Sequence, residues 1–188
     1  MDMTNEMITK YGEANMAALI AYKANTLSQV DKVYNTPKDI PVGTIFTQHW
    51  LNSSTYYIVT RTTKKGVEFQ EIPDTQVAFE CLGGPTGDLY IMPNFVEYAK
   101  NQEAIKAFEK KYGDPTSNAV VEKIFKNRTN KPTEAQEAFW DLPRNIKKTL
   151  KIVKPAKNGG FYIPGVMQGG WCGNMQIWSG EPITEYYE

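Results

Sequence analysis

The sequence predicts an α+β protein: a small, bent antiparallel sheet or partly open SH3-like β-barrel that carries N-terminal helices and a helical insertion. Three observations lead there. Apolar residues recur every three or four positions near the N-terminus and again between residues 98 and 150, which is the spacing of one helix face. Between these tracts, and after the second, β-branched and aromatic residues gather in short runs bounded by Gly, Pro and Asn, as strands do. Proline and glycine clusters mark the changeovers. The expected organisation is a helical lead over 1–40, a β-barrel-like core from 41–93 and 150–188, and a basic helical insertion over 94–149.

From Asn5 to Tyr34 the stripe Met7, Tyr11, Ala14, Ala18 and Tyr22, extended by Leu19, Leu27 and Val30, predicts one or two amphipathic helices. Thr36-Pro37 and Ile40-Pro41 end this tract, because proline lacks the N–H donor and disfavours αR in the residue before it. The runs GTIFTQHW, TYYIVTRT and VEFQEI, the last after Thr63-Lys64-Lys65-Gly66, predict three antiparallel strands between Val42 and Ile72. In the third, Val67 and Phe69 mark the expected buried side, with Glu68, Gln70 and Ile72 on the other. Gly83, Gly84, Pro85 and Gly87 read as a loop before the apolar run Leu89 to Met92.

The helical period then returns, with Ile105, Phe108 and Tyr112 on one helix and Val120, Val121, Ile124 and Phe125 on a second. Thr133 followed by Gln136 is a capping box and starts a third. Strand texture resumes at Leu150 to Val153, at Phe161-Tyr162-Ile163 across the turn signal Asn158-Gly159-Gly160, and at Asn174 to Trp178. These strands are expected to complete the same sheet as the first three.

Equal numbers of basic and acidic residues, 21 of each in 188, argue against a generic polyanion binder. The zero hides an asymmetry: residues 98–157 hold fourteen Lys+Arg and seven Asp+Glu, and the remainder holds the reverse. Lys123, Lys126, Arg128, Lys147, Lys148 and Lys151, with Trp140 nearby and Trp171 in the Gly-rich segment 169–173, are the candidate partner-binding residues. Such a set contacts phosphates and stacks on bases, or meets an acidic protein; the alternative is a solvated helical face.

Familiar catalytic patterns do not gather. His49 is the only histidine and has no serine elbow or metal-ligand spacing beside it, so a structural or hydrogen-bonded surface role is expected. Gly83 to Asp88 lacks the Gly-Lys-Ser/Thr ending of a phosphate loop. Cys81 and Cys172 form no C-x-x-C pair, read as reduced thiols that are buried or inert, and argue against a disulfide framework or zinc site. No catalytic residue, metal or cofactor is assigned. The polar N-terminus and the lack of a long apolar run predict a soluble intracellular protein with no membrane partner.

The strand segments Val42-Gly43-Thr44-Ile45-Phe46, His49-Trp50, Tyr56-Tyr57-Ile58-Val59 and Val67 to Ile72 resemble the opening of a group of small, mostly uncharacterised proteins of tailed phages and mobile elements. Leu89 to Pro93, Lys151, Gly160 to Ile163 and Ile177-Trp178-Ser179-Gly180-Glu181-Pro182 resemble that group's later strands and its closing W-D-G-K-P signature. Ser179 and Glu181 depart from its aspartate and lysine, the tryptophan turn is shortened, and 94–149 looks inserted. The resemblance implies an accessory protein and carries over no catalytic residue. The expected function is therefore a non-enzymatic phage or mobile-element binding protein in the host cytoplasm, occupying a host factor, such as a defence component, or nucleic acid. A virion structural protein, and a small hydrolase or transferase using His49, are the alternatives. Exposed strand edges admit a homo-oligomer.

Overall fold

The computed structural model describes residues 5–26, 36–50, 53–83, 86–126, 131–155, 161–165 and 175–187. The chain forms two compact units, Met1–Phe95 with Lys148–Glu188, and Val96–Lys147. The class is α+β, with five α-helices among the described residues and antiparallel sheets of five and three strands, neither closed into a barrel.

The first unit opens with α1 (Asn5–Tyr11) and α2 (Glu13–Thr26), separated by Gly12 at φ +82°. That left-handed residue shifts the helical phase, so the buried stripe is Met7, Tyr11, Asn15, Leu19, Tyr22 and Thr26. Ala14, expected in the stripe, is exposed, and Asn15 replaces it. The Asn15 side chain donates to Tyr11 O at 3.1 Å and to Asn94 Oδ1 at 3.3 Å, which makes its burial affordable. Leu27 and Val30 lie outside the described residues.

Strands β1 (Ile45–Trp50), β2 (Ser53–Thr62) and β3 (Gly66–Ile72) form the expected meander. β4 (Asp74–Gly83) and β5 (Thr86–Pro93) follow as a hairpin. β4 was not expected, since DTQVAFECLG alternates weakly; its pairing with β5 runs to Gly83 opposite Thr86, and Gly84 and Pro85 of the expected loop lie outside the described residues. After the helical unit come β6 (Lys148–Ile152), β7 (Lys154–Pro155), β8 (Phe161–Tyr162), β9 (Gln176–Ile177) and β10 (Ile183–Tyr187). The larger sheet has the order β6-β3-β2-β1-β9, so β6 and β9 complete both flanks of the early meander as expected, whereas Phe161-Tyr162, expected in the same sheet, pairs with β7 apart from it. The smaller sheet has the order β10-β5-β4, and β7 pairs with β8 around the Asn158-Gly159-Gly160 turn signal, which itself lies outside the described residues.

Both faces of the larger sheet are buried at β3, which corrects the one-sided expectation. Val67 and Phe69 join Ile40, Phe46, Tyr57, Val59, Ile163 and Met175 in one core cluster. Gln70 and Ile72, on the opposite face, are only 2% and 1% exposed. Tyr56 pairs with Ile72 on that face and belongs to an aromatic group: Trp178 stacks on Tyr22 with ring centroids 5.2 Å apart and meets the edge of Tyr56 at 5.6 Å. The Tyr56 hydroxyl donates to Ile91 O at 2.8 Å and that of Tyr11 to Pro93 O at 2.6 Å, tying the larger sheet and α1 to β5. Burial holds both phenols far above the ordinary tyrosine range.

The closing segment earns its residues locally. Trp178 donates through its indole N–H to Glu181 O at 2.6 Å, Gly180 takes φ +83°, and the Glu181 carboxylate pairs with Lys23 at 2.9 Å.

The second unit holds most of α3 (Phe95–Tyr112), α4 (Asn118–Phe125) and α5 (Glu134–Trp140). Gly113 at φ +96° ends α3. The capping box at α5 is as expected: Gln136 N–H donates to Thr133 Oγ1 at 3.3 Å, and Thr133 N–H donates to Gln136 Oε1 at 2.9 Å. Gln136 also donates to Ile124 O at 3.1 Å, fastening α5 to the end of α4. Phe108, Phe125 and Phe139 pack edge to face, with Phe139 5.9 Å from Phe108 and 5.4 Å from Phe125. Among the described residues no helix is long and apolar enough to cross a membrane.

Candidate binding surface and the His49 cluster

α4 is strongly amphipathic, yet none of its residues is buried, although Val120, Val121, Ile124 and Phe125 are apolar. Its Phe125 ring reaches Trp140, 6.0 Å away at the end of α5, and Trp140 is 60% exposed. An open hollow of about 740 Å³ runs along α4, lined by Ala119, Val121, Glu122, Lys123, Phe125 and Lys126. Ala119, Val121 and Phe125 among Lys123, Lys126 and Glu122, with Trp140 next to Phe125, suit an anchor side chain of a partner. A second hollow in this unit, about 310 Å³, has the Lys111–Glu134 ion pair at 2.5 Å over Ala104, Ala107 and Phe108.

The candidate residues fall in different places. Lys123, Lys126 and Trp140 gather around Phe125 in the second unit, and Lys147 is that unit's last residue. Lys148 and Lys151 belong to β6 in the first unit and, an odd number of residues apart, point to opposite faces of the strand. Arg128 and Trp171 lie outside the described residues. Val121 and Phe125, placed by the sequence on the apolar stripe of one helix, lie on α4 and are half-buried.

His49 and Ser54 face each other across the β1–β2 pair, with Nδ1 2.8 Å from Oγ. The Ser54 N–H donates to a Glu185 carboxylate oxygen, bringing β10 to this hairpin. Burial pushes the Glu185 carboxyl above its ordinary value of 4.5; Asp74 adds to the rise, while the Ser54 N–H and His49 oppose it. Glu71 is raised likewise by burial and then by Asp74. A nucleophile–base pair needs the base oriented by a third group. Here the carboxylate holds the serine amide, which fixes the hairpin against β10. Cys81, expected to be buried or inert, is exposed on β4. Among the described residues no group of three or more His, Cys, Asp or Glu side chains is arranged to hold a metal ion.

Glu185 supplies a pH prediction. Its folded value lies above its unfolded one, so the fold binds the proton more tightly, and its contribution to stability grows as pH falls through the raised value towards 4.5. Glu185→Gln keeps an acceptor for the Ser54 N–H but cannot titrate. The stability of wild type minus that of the variant should therefore move in favour of wild type between pH 7 and about 4.5. Urea unfolding at both ends of that range checks this, and a pH-independent difference refutes it.

Comparisons with protein-family models, with curated proteins and with solved structures find no match.

Proposed function

We propose that this is a non-enzymatic binding protein whose contact surface is the apolar and basic face of α4 and the end of α5. Trp140 carries the reading: a large aromatic residue, mostly exposed, beside a helix whose apolar side chains are only half-buried. The unit that bears it holds ten Lys+Arg against eight Asp+Glu, too balanced for a polyanion groove, which favours a protein partner over nucleic acid. From the resemblance, the partner is a host factor met in the cytoplasm by a phage or mobile-element accessory protein, on a scaffold read as a partly open SH3-like arrangement.

The test is capture from host lysate with and without nuclease. Trp140→Ala and Lys123→Glu should each weaken recovery of the partner by tenfold or more, with nuclease having no effect. Loss of binding on nuclease treatment, with a log–log salt slope of about −0.7 to −0.9 per phosphate contact, favours nucleic acid. Stoichiometric presence in purified particles favours the virion reading. The His49–Ser54 hydrogen bond motivates the enzyme alternative, for which His49→Ala must abolish a turnover seen with wild type.

A further inference from the structure

β6 is the last strand of the larger sheet, with β3 on one side and no strand on the other among the described residues. Its ladder fixes which groups face outward. Lys151 pairs with Val67 and Thr149 with Phe69, and in the same register Val153 N–H donates to Lys65 O at 3.0 Å. Antiparallel pairs alternate between hydrogen-bonded and non-hydrogen-bonded, so Thr149, Lys151 and Val153 are the residues bonded to β3. The N–H and C=O groups of Leu150 and Ile152 therefore point to the open edge. These two residues also present their side chains to solvent, 45% and 55% exposed, on the face shared with Lys148.

Natural edges are usually blunted by lysines, prolines, bulges or short length, and β6 carries Lys148 and Lys151, one on each face, which guard it against a like-charged strand. Between them it offers two apolar side chains on the residues whose main chain is open. We infer that the β6 edge is a second binding site, independent of the α4 surface, that takes an extended acidic peptide as a sixth strand. Main-chain hydrogen bonds to Leu150 and Ile152 supply the attachment, and alternate side chains supply the selection. The added strand alternates, placing apolar residues on the face of Leu150, Ile152 and the Lys148 stem and carboxylates on the face of Lys151. A second copy of the chain is the poorer occupant, because it would bring lysines of like sign to the same short edge.

The test uses the full chain and a capped nine-residue peptide of alternating Val and Glu, followed by amide hydrogen exchange. The peptide should slow exchange at Leu150 and Ile152 by tenfold or more and leave Thr149 and Lys151 unchanged. The same peptide N-methylated at alternate residues should not. The double variant Leu150→Lys/Ile152→Lys should bind at least tenfold more weakly despite its added positive charge, with its folding checked by an unchanged spectrum and melting transition. Trp140→Ala should bind the peptide as wild type does, which separates failure here from failure at α4. Tighter binding by the double variant means charge alone and overturns the site. So does protection of Leu150 and Ile152 in the free chain that grows with protein concentration, the mark of a second copy, or stronger protection by oligothymidylate than by the peptide.

Discussion

Trp178→Ala should lower the stability of the first unit by about 3–5 kcal/mol, the usual cost of emptying a buried aromatic site. Trp178 is 2% exposed and contacts three rings, those of Tyr22, Tyr56 and Phe95. Its backbone N–H donates to Ile45 O at 2.8 Å, so the side chain sits where the end of the chain is fastened to β1. Removing the indole leaves a void beneath α2 and strips Glu181 O of its donor, and both effects add in the same direction. Trp140→Ala, by contrast, should stay within about 0.5 kcal/mol, as surface substitutions do. Urea unfolding followed by far-ultraviolet circular dichroism measures both. Equal losses would mean that Trp140 is core, and the proposed contact surface would fall with that result.

The contrast between these tryptophans was not legible in the sequence. Both follow apolar runs, and only the tertiary partners separate them: Tyr22 and Tyr56, more than a hundred residues from Trp178, cover one, while nothing among the described residues covers the other to the same degree. Signals that act within a few residues were readable. Thr133 and Gln136 announced a helix start because the capping bonds close locally, and the meander β1–β3 announced itself through β-branched runs separated by short turns. Signals that depend on distant partners were not. β10, Ile183–Tyr187, carries an acidic residue and two tyrosines and becomes a strand by pairing with β5, some ninety residues earlier. Asn15 and Gln70 are polar residues that sequence patterning assigns to solvent, yet both are buried. The same limit applies to the edge site, since alternation in Lys148–Ile152 identifies a strand without saying that it is the last in its sheet.

Gly66→Ala should cost about 1–3 kcal/mol, the range for forcing extra volume into a closely packed position. A Cβ built on Gly66 would lie 2.5 Å from Lys151 O and 3.2 Å from Lys151 C, and both are backbone atoms of the neighbouring strand. No rotamer change relieves such a contact, so β6 must move away from β3. The bonds nearest the methyl group, those joining Val67 to Lys151 and Val153 N–H to Lys65 O, weaken first. Hydrogen exchange at Lys151 and Val153 should speed up by tenfold or more, while amides in the β1–β2 pairing keep their protection. Because the displaced strand carries Leu150 and Ile152, binding of the alternating Val and Glu peptide should fall in parallel with that loss of protection. Retention of the β3–β6 bonds in Gly66→Ala would show that the strand can shift by a few tenths of an ångström at little cost. The close backbone approach at Gly66 would then not be what holds the edge in place.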